Sequence, residues 1–243
     1  MSVKLSLIIP VFNAELFIID TVNRILKWVN TIDFNAEVIL VNDGSTDKTY
    51  DILKPAIKHL KSFQLLSYSK NRGKGYAVKK GMLSAKGAFR LFTDADIPYG
   101  FSTINSIIYY LDFKEFDVCI GNRKASQSTY DVKSGVLRKL SSKIFTHIIS
   151  NYVVTGMGDT QCGIKGFSAK IAERIFSNTE INGFAFDVEV LYLCHKYEYD
   201  IKKIPVEFEG NNITTINLMQ SSLRMLKDVL SLPIRYHILK KYK

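Results

Sequence analysis

Residues 5–13 read LSLIIPVFN, in which an apolar, strand-like run at residues 5–11 passes into polar residues, and this pattern decides the fold. Similar strand-like runs recur at residues 37–42, 64–67, 89–93, 117–121 and 201–208. Segments with apolar residues at helical spacing lie between them or follow them, at residues 14–30, 47–60, 73–85, 102–113 and 135–154. Alternating strands and helices are typical of a mostly parallel sheet flanked by helices, so we predict an α/β fold.

The composition excludes several classes of protein. The chain has 243 residues, of which 47% are hydrophobic and 23% are charged. These fractions are ordinary for a globular domain and exclude disordered and fibrous chains. Three distant cysteines, Cys119, Cys162 and Cys194, form neither a disulfide framework nor a zinc knuckle. Since no run reaches the ~20 apolar residues of a membrane-spanning helix, we expect a cytoplasmic protein without a transmembrane segment.

The charge predicts an anionic partner. Lys and Arg outnumber Asp and Glu by 33 to 23, and residues 224–243 carry six Lys or Arg and one Asp. Because apolar residues recur at helical spacing there, residues 216–243 are predicted to be a basic amphipathic tail at the cytoplasmic face of a membrane, following a catalytic domain at 1–215. Pro233 predicts two short helices in this tail. The alternative is that these helices cover the sheet.

Acidic residues follow two of the predicted strands. Residues 41–47 read VNDGSTD and residues 93–98 read TDADIP, which places Asp43, Asp94 and Asp96 where ligands bind in a parallel sheet. Each stretch is also an ordinary turn sequence. Concentrated like charge costs stability unless a cation neutralises it, so this edge is predicted to hold Mg²⁺ or Mn²⁺, which would neutralise a departing diphosphate.

Residues 69–81 read SKNRGKGYAVKKG and place Arg72 and Lys74 among glycines where a helix begins. A helix N-terminus with flanking cations attracts phosphate, and glycines allow its close approach. The segment lacks the ending of a Walker loop, and a solvated turn is the alternative interpretation.

Together the motifs resemble those of inverting family 2 glycosyltransferases, which implies the GT-A fold with a Rossmann-like nucleotide-binding half. They include IIPVFN at 8–13, NRGKG at 71–75, GNR at 121–123 and DTQCGIKGF at 159–167. FAFDVE at 184–189 and DVLSLPIRYHILKKY at 228–242 are similar to segments of the dolichyl-phosphate β-glucosyltransferase branch, which acts on polyprenyl phosphates.

This resemblance implies a nucleotide-binding role for one group of residues. The nucleoside pocket would be formed by Pro10, Phe12, Glu15, Asp43, Arg72 and Lys74. Asp94 would lie near the ribose and the diphosphate, and Asp96 would be the main metal ligand.

A second group is implied in the reaction itself. Arg123 and Arg138 would meet the donor and acceptor phosphates, and Asp159 and Gln161 would approach the sugar. The remaining pair, Asp187 and Glu189, would close the site from the next helix. The alternative is that their negative charges only stabilise the N-terminus of that helix.

The expected activity is transfer of glucose from UDP-glucose to a polyprenyl or dolichyl phosphate in protein glycosylation. GDP-mannose is an alternative donor. If the acceptor were instead a sugar hydroxyl, Asp159 or Asp187 would be needed as a general base.

Two other functions fit the sequence less well. A nucleic-acid-binding module would have aromatic residues interleaved with Lys and Arg, whereas most aromatic residues here lie in apolar runs. A nucleotidyltransferase would have a glycine-rich basic loop after the first strand, where this chain has PVFNAE at 10–15. Oligomeric state and a membrane-protein partner stay open.

Overall fold

The computed structural model describes residues 2–125, 128, 159–209 and 218–242. The whole helix predicted at 135–154, with Arg138 in it, lies outside the described residues. The strands are β1 Leu5–Val11, β2 Ala36–Asp43, β3 Phe63–Tyr68, β4 Phe89–Thr93, β5 Val118–Asn122, β6 Ile164–Ser168 and β7 Ile201–Pro205. The helices are α1 Ile18–Val29, α2 Thr49–Ile57, α3 Lys74–Ser84, α4 Gly100–Asp112, α5 Ala169–Asn178, α6 Phe186–Lys196 and α7 Leu218–His237.

The strands form one seven-stranded sheet in the order β3-β2-β1-β4-β6-β5-β7. Every described pairing is parallel except those of β6, which runs antiparallel to β4 and β5. The prediction of a mostly parallel sheet flanked by helices is therefore confirmed. The sequence analysis did not predict β6, because Lys165 and Gly166 interrupt its apolar pattern.

The sheet is buried on both faces. Ile8 and Val41 face the helices α3, α5, α6 and α7, whereas Leu7 and Leu40 face α1, α2 and α4. A strand with two buried faces has no polar side to expose, which explains the continuous apolar run of β1.

The prediction of two short helices around Pro233 was wrong, because α7 is a single helix of 20 residues that includes Pro233. Helix α2 also includes a proline, Pro55. Proline removes one backbone hydrogen bond, and packing around Pro233 offsets this loss, because Val229 and Leu232 before it are buried in the core and Tyr236 after it packs against the same core. Among the helices of the described residues, none has the length and apolar character to cross a bilayer.

Candidate active site at the carboxyl edge of the sheet

Asp43 joins two loops at the end of β2. Its buried carboxylate accepts hydrogen bonds from the backbone N–H of Arg72 at 2.8 Å and of Gly73 at 2.9 Å, and from the Asn71 side chain at 3.0 Å. Gly44 has a positive φ of 63°, and a Cβ there would collide with the backbone of residues 70–71. The loops 41–47 and 69–75 are therefore held together as one unit.

The backbone amides at the start of α3 are bound to protein groups. Those of residues 72 and 73 donate to Asp43, and those of Gly75 and Tyr76 donate to the carbonyl of Asn182 at 2.8 and 3.2 Å. These four amides therefore have partners within the protein. The side chains supply the positive charge here, with the Arg72 guanidinium stacked 3.6 Å from the ring centroid of Tyr76.

Lys74 connects α3 to the acids after β4. Its ammonium lies 2.5 Å from a carboxylate oxygen of Asp94. Burial alone would lower the pKa of Lys74, but the carboxylates of Asp94, Asp187 and Asp96 raise it above its ordinary value. Gly163 packs against Asp94 so closely that a Cβ atom there would collide with this carboxylate. The structure therefore brings together four of the predicted residues: Lys74, Asp94, Asp96 and Asp187.

The loop that carries Asp96 is fixed by α1. Thr21 donates a hydrogen bond to the carbonyl of Ala95 at 2.8 Å, and Arg24 donates to the carbonyl of Asp96 at 3.1 Å. Burial, followed by the charge of Asp94, raises the pKa of the Asp96 carboxyl. A nearby cation would relieve this unfavourable charge.

The donor set of this edge fits a hard divalent cation that is shared with a substrate. The described residues hold no cluster of three or more His, Cys, Asp or Glu with metal-binding geometry. Mg²⁺ does not need such a cluster, because it is commonly bound by one or two carboxylates together with substrate phosphates. Asp94 and Asp96 provide those two carboxylates.

Asp159, in the DTQCG segment, is bound by Arg123. The guanidinium donates two hydrogen bonds to the carboxylate, at 2.9 and 2.7 Å, and the Arg123 backbone N–H donates a third at 2.9 Å. Burial alone would raise the pKa of Asp159, but its hydrogen bonds with Arg123 and the charge of Arg123 hold it below the ordinary value. Asp159 is therefore a poor proton acceptor.

The sequence analysis missed Lys165, which is fully buried in β6. Its ammonium lies 2.5 Å from Asp187 and donates to the carbonyl of Cys162 at 2.8 Å. A buried ammonium is unfavourable unless it is paired, so Lys165 and Asp187 depend on each other. The only signal in the sequence was a lysine within the DTQCGIKGF motif.

Glu189 lies in a different environment from Asp187, although both are on α6. Its buried carboxylate accepts hydrogen bonds from the backbone N–H groups of Glu180 at 2.9 Å and Ile181 at 2.8 Å, and from the Tyr242 hydroxyl at 2.7 Å. Burial raises the pKa of the Glu189 carboxyl. Glu189 thus holds the segment before α6.

The other predicted residues lie at the same edge. Glu15 accepts a hydrogen bond from the Lys48 backbone at 2.9 Å and so stabilises the loop after β2. Phe12 is largely exposed, whereas Pro10 and Gln161 are half-buried. All three cysteines are buried and unpaired, and burial raises the pKa of the Cys162 thiol to about 11.

Comparison with known proteins identifies curated relatives across nearly the whole chain. It is 31% identical to a dolichyl-phosphate beta-glucosyltransferase of Dictyostelium discoideum, over 97% of this chain and 75% of that protein. It is 30% identical to the enzyme of the same name from Homo sapiens, over 96% of this chain and 76% of that protein.

Two solved structures share the fold. Glucosyl-3-phosphoglycerate synthase from Mycobacterium tuberculosis in complex with UDP has a TM-score of 0.70 at 15% identity, over 94% of this chain and 79% of that one. Mannosyl-3-phosphoglycerate synthase from Rubrobacter xylanophilus has a TM-score of 0.72 at 14% identity, over 96% of this chain and 75% of that one. The Mycobacterium tuberculosis protein has also been crystallised with Mn²⁺ and UDP-glucose.

The family follows from a match over most of the chain. The sequence model of the family described as Glycosyl transferase family 2 matches residues 6–176. This range includes Asp43, Asp94, Asp96 and the DTQCG segment. With this match and the relatives above, the chain belongs to glycosyl transferase family 2 and is a glycosyltransferase with the GT-A fold.

Proposed function

We propose that this enzyme transfers glucose from UDP-glucose to a dolichyl or other polyprenyl phosphate, with inversion at the anomeric carbon. Curated relatives at about 30% identity are named for this lipid acceptor and this sugar. One structural observation carries the choice of acceptor: Asp159 and Asp187, the two acids considered as a general base, are each paired with a cation.

A phosphate acceptor suits this arrangement. A sugar hydroxyl must lose a proton during transfer and needs a basic group within hydrogen-bond reach. Arg123 holds Asp159, and Lys165 holds Asp187. A lipid phosphate is already anionic near neutral pH, so it needs orientation by cations more than a base. Arg123, together with Arg138 outside the described residues, would supply that orientation.

The donor nucleotide would bind at the ends of β1, β2 and β4. Pro10, Phe12 and Glu15 would line the nucleoside pocket, and Asp43 would hold the base or ribose. Lys74 would lie beside the diphosphate, because its ammonium is already at the Asp94 carboxylate. Lys74 would therefore stabilise negative charge as the nucleotide departs.

Asp94 and Asp96 would hold Mg²⁺ or Mn²⁺ together with the diphosphate, with Asp96 as the main ligand. Bound there, the cation would neutralise charge that develops on the leaving diphosphate. The neighbouring residues prepare this site, because Thr21 and Arg24 fix the loop and Gly163 leaves room for Asp94.

We also propose that the tail, residues 216–243, rests on the cytoplasmic face of an anionic membrane. Leu226, Leu230, Ile234 and Ile238 recur every fourth residue on α7 and just beyond it, and the last three are 49%, 50% and 72% exposed. An open groove of about 460 Å³ follows this stripe, with Lys227 on its lining. Apolar residues beside cations are typical of helices in the headgroup plane.

A transfer assay tests the proposed activity. Purified protein would be incubated with Mn²⁺ or Mg²⁺, a short polyprenyl phosphate, and labelled UDP-glucose, GDP-mannose or UDP-N-acetylglucosamine in parallel. We expect labelled lipid from UDP-glucose alone, and loss of product on chelation of the metal or in Asp96→Asn. Lipid product from GDP-mannose alone, or transfer only to a glycan hydroxyl, would contradict the proposal.

A further inference from the structure

We infer that Tyr242 is a positioning residue for the nucleotide side of the site, acting through Glu189 and the loop 179–185 on the start of α3. Among the predicted site residues, its hydroxyl bonds to Glu189, and no described contact joins it directly to Asp43, Lys74 or Asp94. That this side of the site binds a nucleotide sugar rests on the proposed function, whereas the chain of contacts does not depend on it.

The first contacts join the end of the tail to α6 and the loop before it. Tyr242 is buried, and its hydroxyl donates to Glu189 at 2.7 Å. Arg235 on α7 and Lys241 each lie 3.2 Å from the carboxylate of Glu180. The tail thus binds one acid within the loop 179–185 and one in the helix that follows this loop.

Glu189 passes this constraint to the backbone of the loop. Its two carboxylate oxygens accept the N–H groups of Glu180 and Ile181, and one of them also accepts the Tyr242 hydroxyl. A buried carboxylate that loses one of its donors is left under-solvated, which is costly. Removal of the Tyr242 hydroxyl would therefore weaken the packing of Glu189 against the loop, including its hydrogen bonds from the backbone of Glu180 and Ile181.

The loop in turn holds the start of α3. The carbonyl of Asn182 accepts the N–H groups of Gly75 and Tyr76, and the carbonyl of Thr179 accepts Lys79 at 2.6 Å. A Cβ at Gly73 or at Gly75 would collide with the backbone of residues 181–182, so helix and loop are in direct contact.

The start of α3 reaches the predicted nucleotide residues. The Gly73 N–H donates to Asp43, and the Lys74 ammonium pairs with Asp94. Three successive hydrogen-bonded links therefore run from Tyr242 to Gly75, through Glu189 and the backbone of residues 180–182, and Lys74 is the residue next to Gly75 in the chain. The pair of Arg123 and Asp159 takes no part in these contacts, so the acceptor side should respond less.

Hydrogen exchange tests this inference without any substrate. In the full chain, Tyr242→Phe keeps the ring and removes only the hydroxyl. We expect the amides of Gly75, Tyr76 and Ile181 to exchange about tenfold faster, because a hydrogen bond to a charged group contributes at least about the 1.4 kcal/mol that corresponds to a factor of ten. The amides of β1 should exchange as before. Unchanged exchange at Gly75 and Tyr76 would overturn the inference.

A matched control is Tyr199→Phe, which removes a hydroxyl that accepts a hydrogen bond from Arg174 at 3.2 Å on the protein surface. It should leave the exchange of Gly75 and Tyr76 unchanged. An equal effect of both substitutions would mean that general loosening, and not the Tyr242 contact, controls these amides, and this would overturn the inference.

Kinetics then separate positioning from simple loss of structure. For Tyr242→Phe we expect a several-fold rise in the KM for the nucleotide sugar, with the KM for polyprenyl phosphate nearly unchanged. An equal change for both substrates would contradict the inference. If wild-type protein makes no lipid product but the exchange result holds, the proposed function fails while the chain of contacts stands.

Discussion

At the residue scale, the site is built from pairs of opposite charge that are buried or half-buried. Lys74 pairs with Asp94, Arg123 with Asp159, and Lys165 with Asp187. Such pairs are unfavourable to break, because the partner left behind keeps its charge in a poorly solvated place. Each pair also joins segments that are distant in the chain. The pairs therefore fix the geometry of the site before substrate arrives.

The Arg123–Asp159 pair should make the free energy of unfolding depend on pH. The pKa of the Asp159 carboxyl is lowered in the folded state. The pair therefore stabilises the fold above the ordinary Asp pKa of about 4, and this stabilisation is lost as the pH falls through the lowered pKa. Asp159→Asn should reduce the free energy of unfolding by about 2 kcal/mol at pH 7. The difference from wild type should be smaller at acid pH than at pH 7, as Asp159 becomes protonated. Urea unfolding at both pH values measures this, and a difference independent of pH would contradict it.

The Lys165–Asp187 pair makes a different prediction. Lys165→Met should lower the free energy of unfolding by about 3–5 kcal/mol, because Asp187 remains buried without its cation. The double variant Lys165→Met, Asp187→Leu should recover most of that loss. If Asp187 also serves the reaction, the double variant should be stable but inactive. Thermal unfolding and the transfer assay check both statements, and a double variant no more stable than Lys165→Met would contradict the first.

At the element scale, local sequence predicted some parts of the structure and not others. Strands β1 and β4 match their predicted bounds, because a strand buried on both faces is a continuous apolar run. Strand β6 lacks that pattern because it contains Lys165, whose partner Asp187 is 22 residues away. Likewise, the contact that fixes Glu189 could not be predicted from its motif, because its partner Tyr242 is 53 residues away. Contacts at such separations leave no periodic signal in either segment.

Helix α7 presents two faces with different predicted roles. Val229 and Leu232 are buried against the domain, whereas Leu230 and Ile234 are exposed. Replacing both exposed residues with serine should therefore preserve folding and weaken membrane binding. Sedimentation with vesicles of phosphatidylcholine and phosphatidylserine would measure the bound fraction, which should fall several-fold from the lost apolar burial.

Phe113 provides the control for that experiment. It is 70% exposed just after α4, and Phe113→Ser removes apolar surface away from the stripe on α7. Vesicle binding should be retained in this variant. Equal loss in both variants, or full binding by the Leu230→Ser, Ile234→Ser protein, would contradict a membrane role for α7.

At the scale of the whole molecule, the sheet places its acids at one edge, and the tail joins that edge to the exposed apolar stripe of α7. The family and the fold could be predicted from the order of the motifs, because strand ends in a parallel sheet converge. The ion pairing of Asp159 and Asp187 could not be predicted from the sequence, since pairing with Arg123 or Lys165 depends on how distant segments pack. That pairing is what favours a phosphate acceptor over a hydroxyl acceptor.

The central claim is that this glycosyltransferase attaches glucose to a lipid phosphate with inversion. The measurement that tests it most directly is the structure of the product, by ¹H and ³¹P NMR, after reaction of UDP-α-glucose with a short polyprenyl phosphate. We expect a β-glucosyl phosphate, with the anomeric carbon bonded through oxygen to the lipid phosphorus. An α-linked product, or glucose attached to a hydroxyl group, would contradict it.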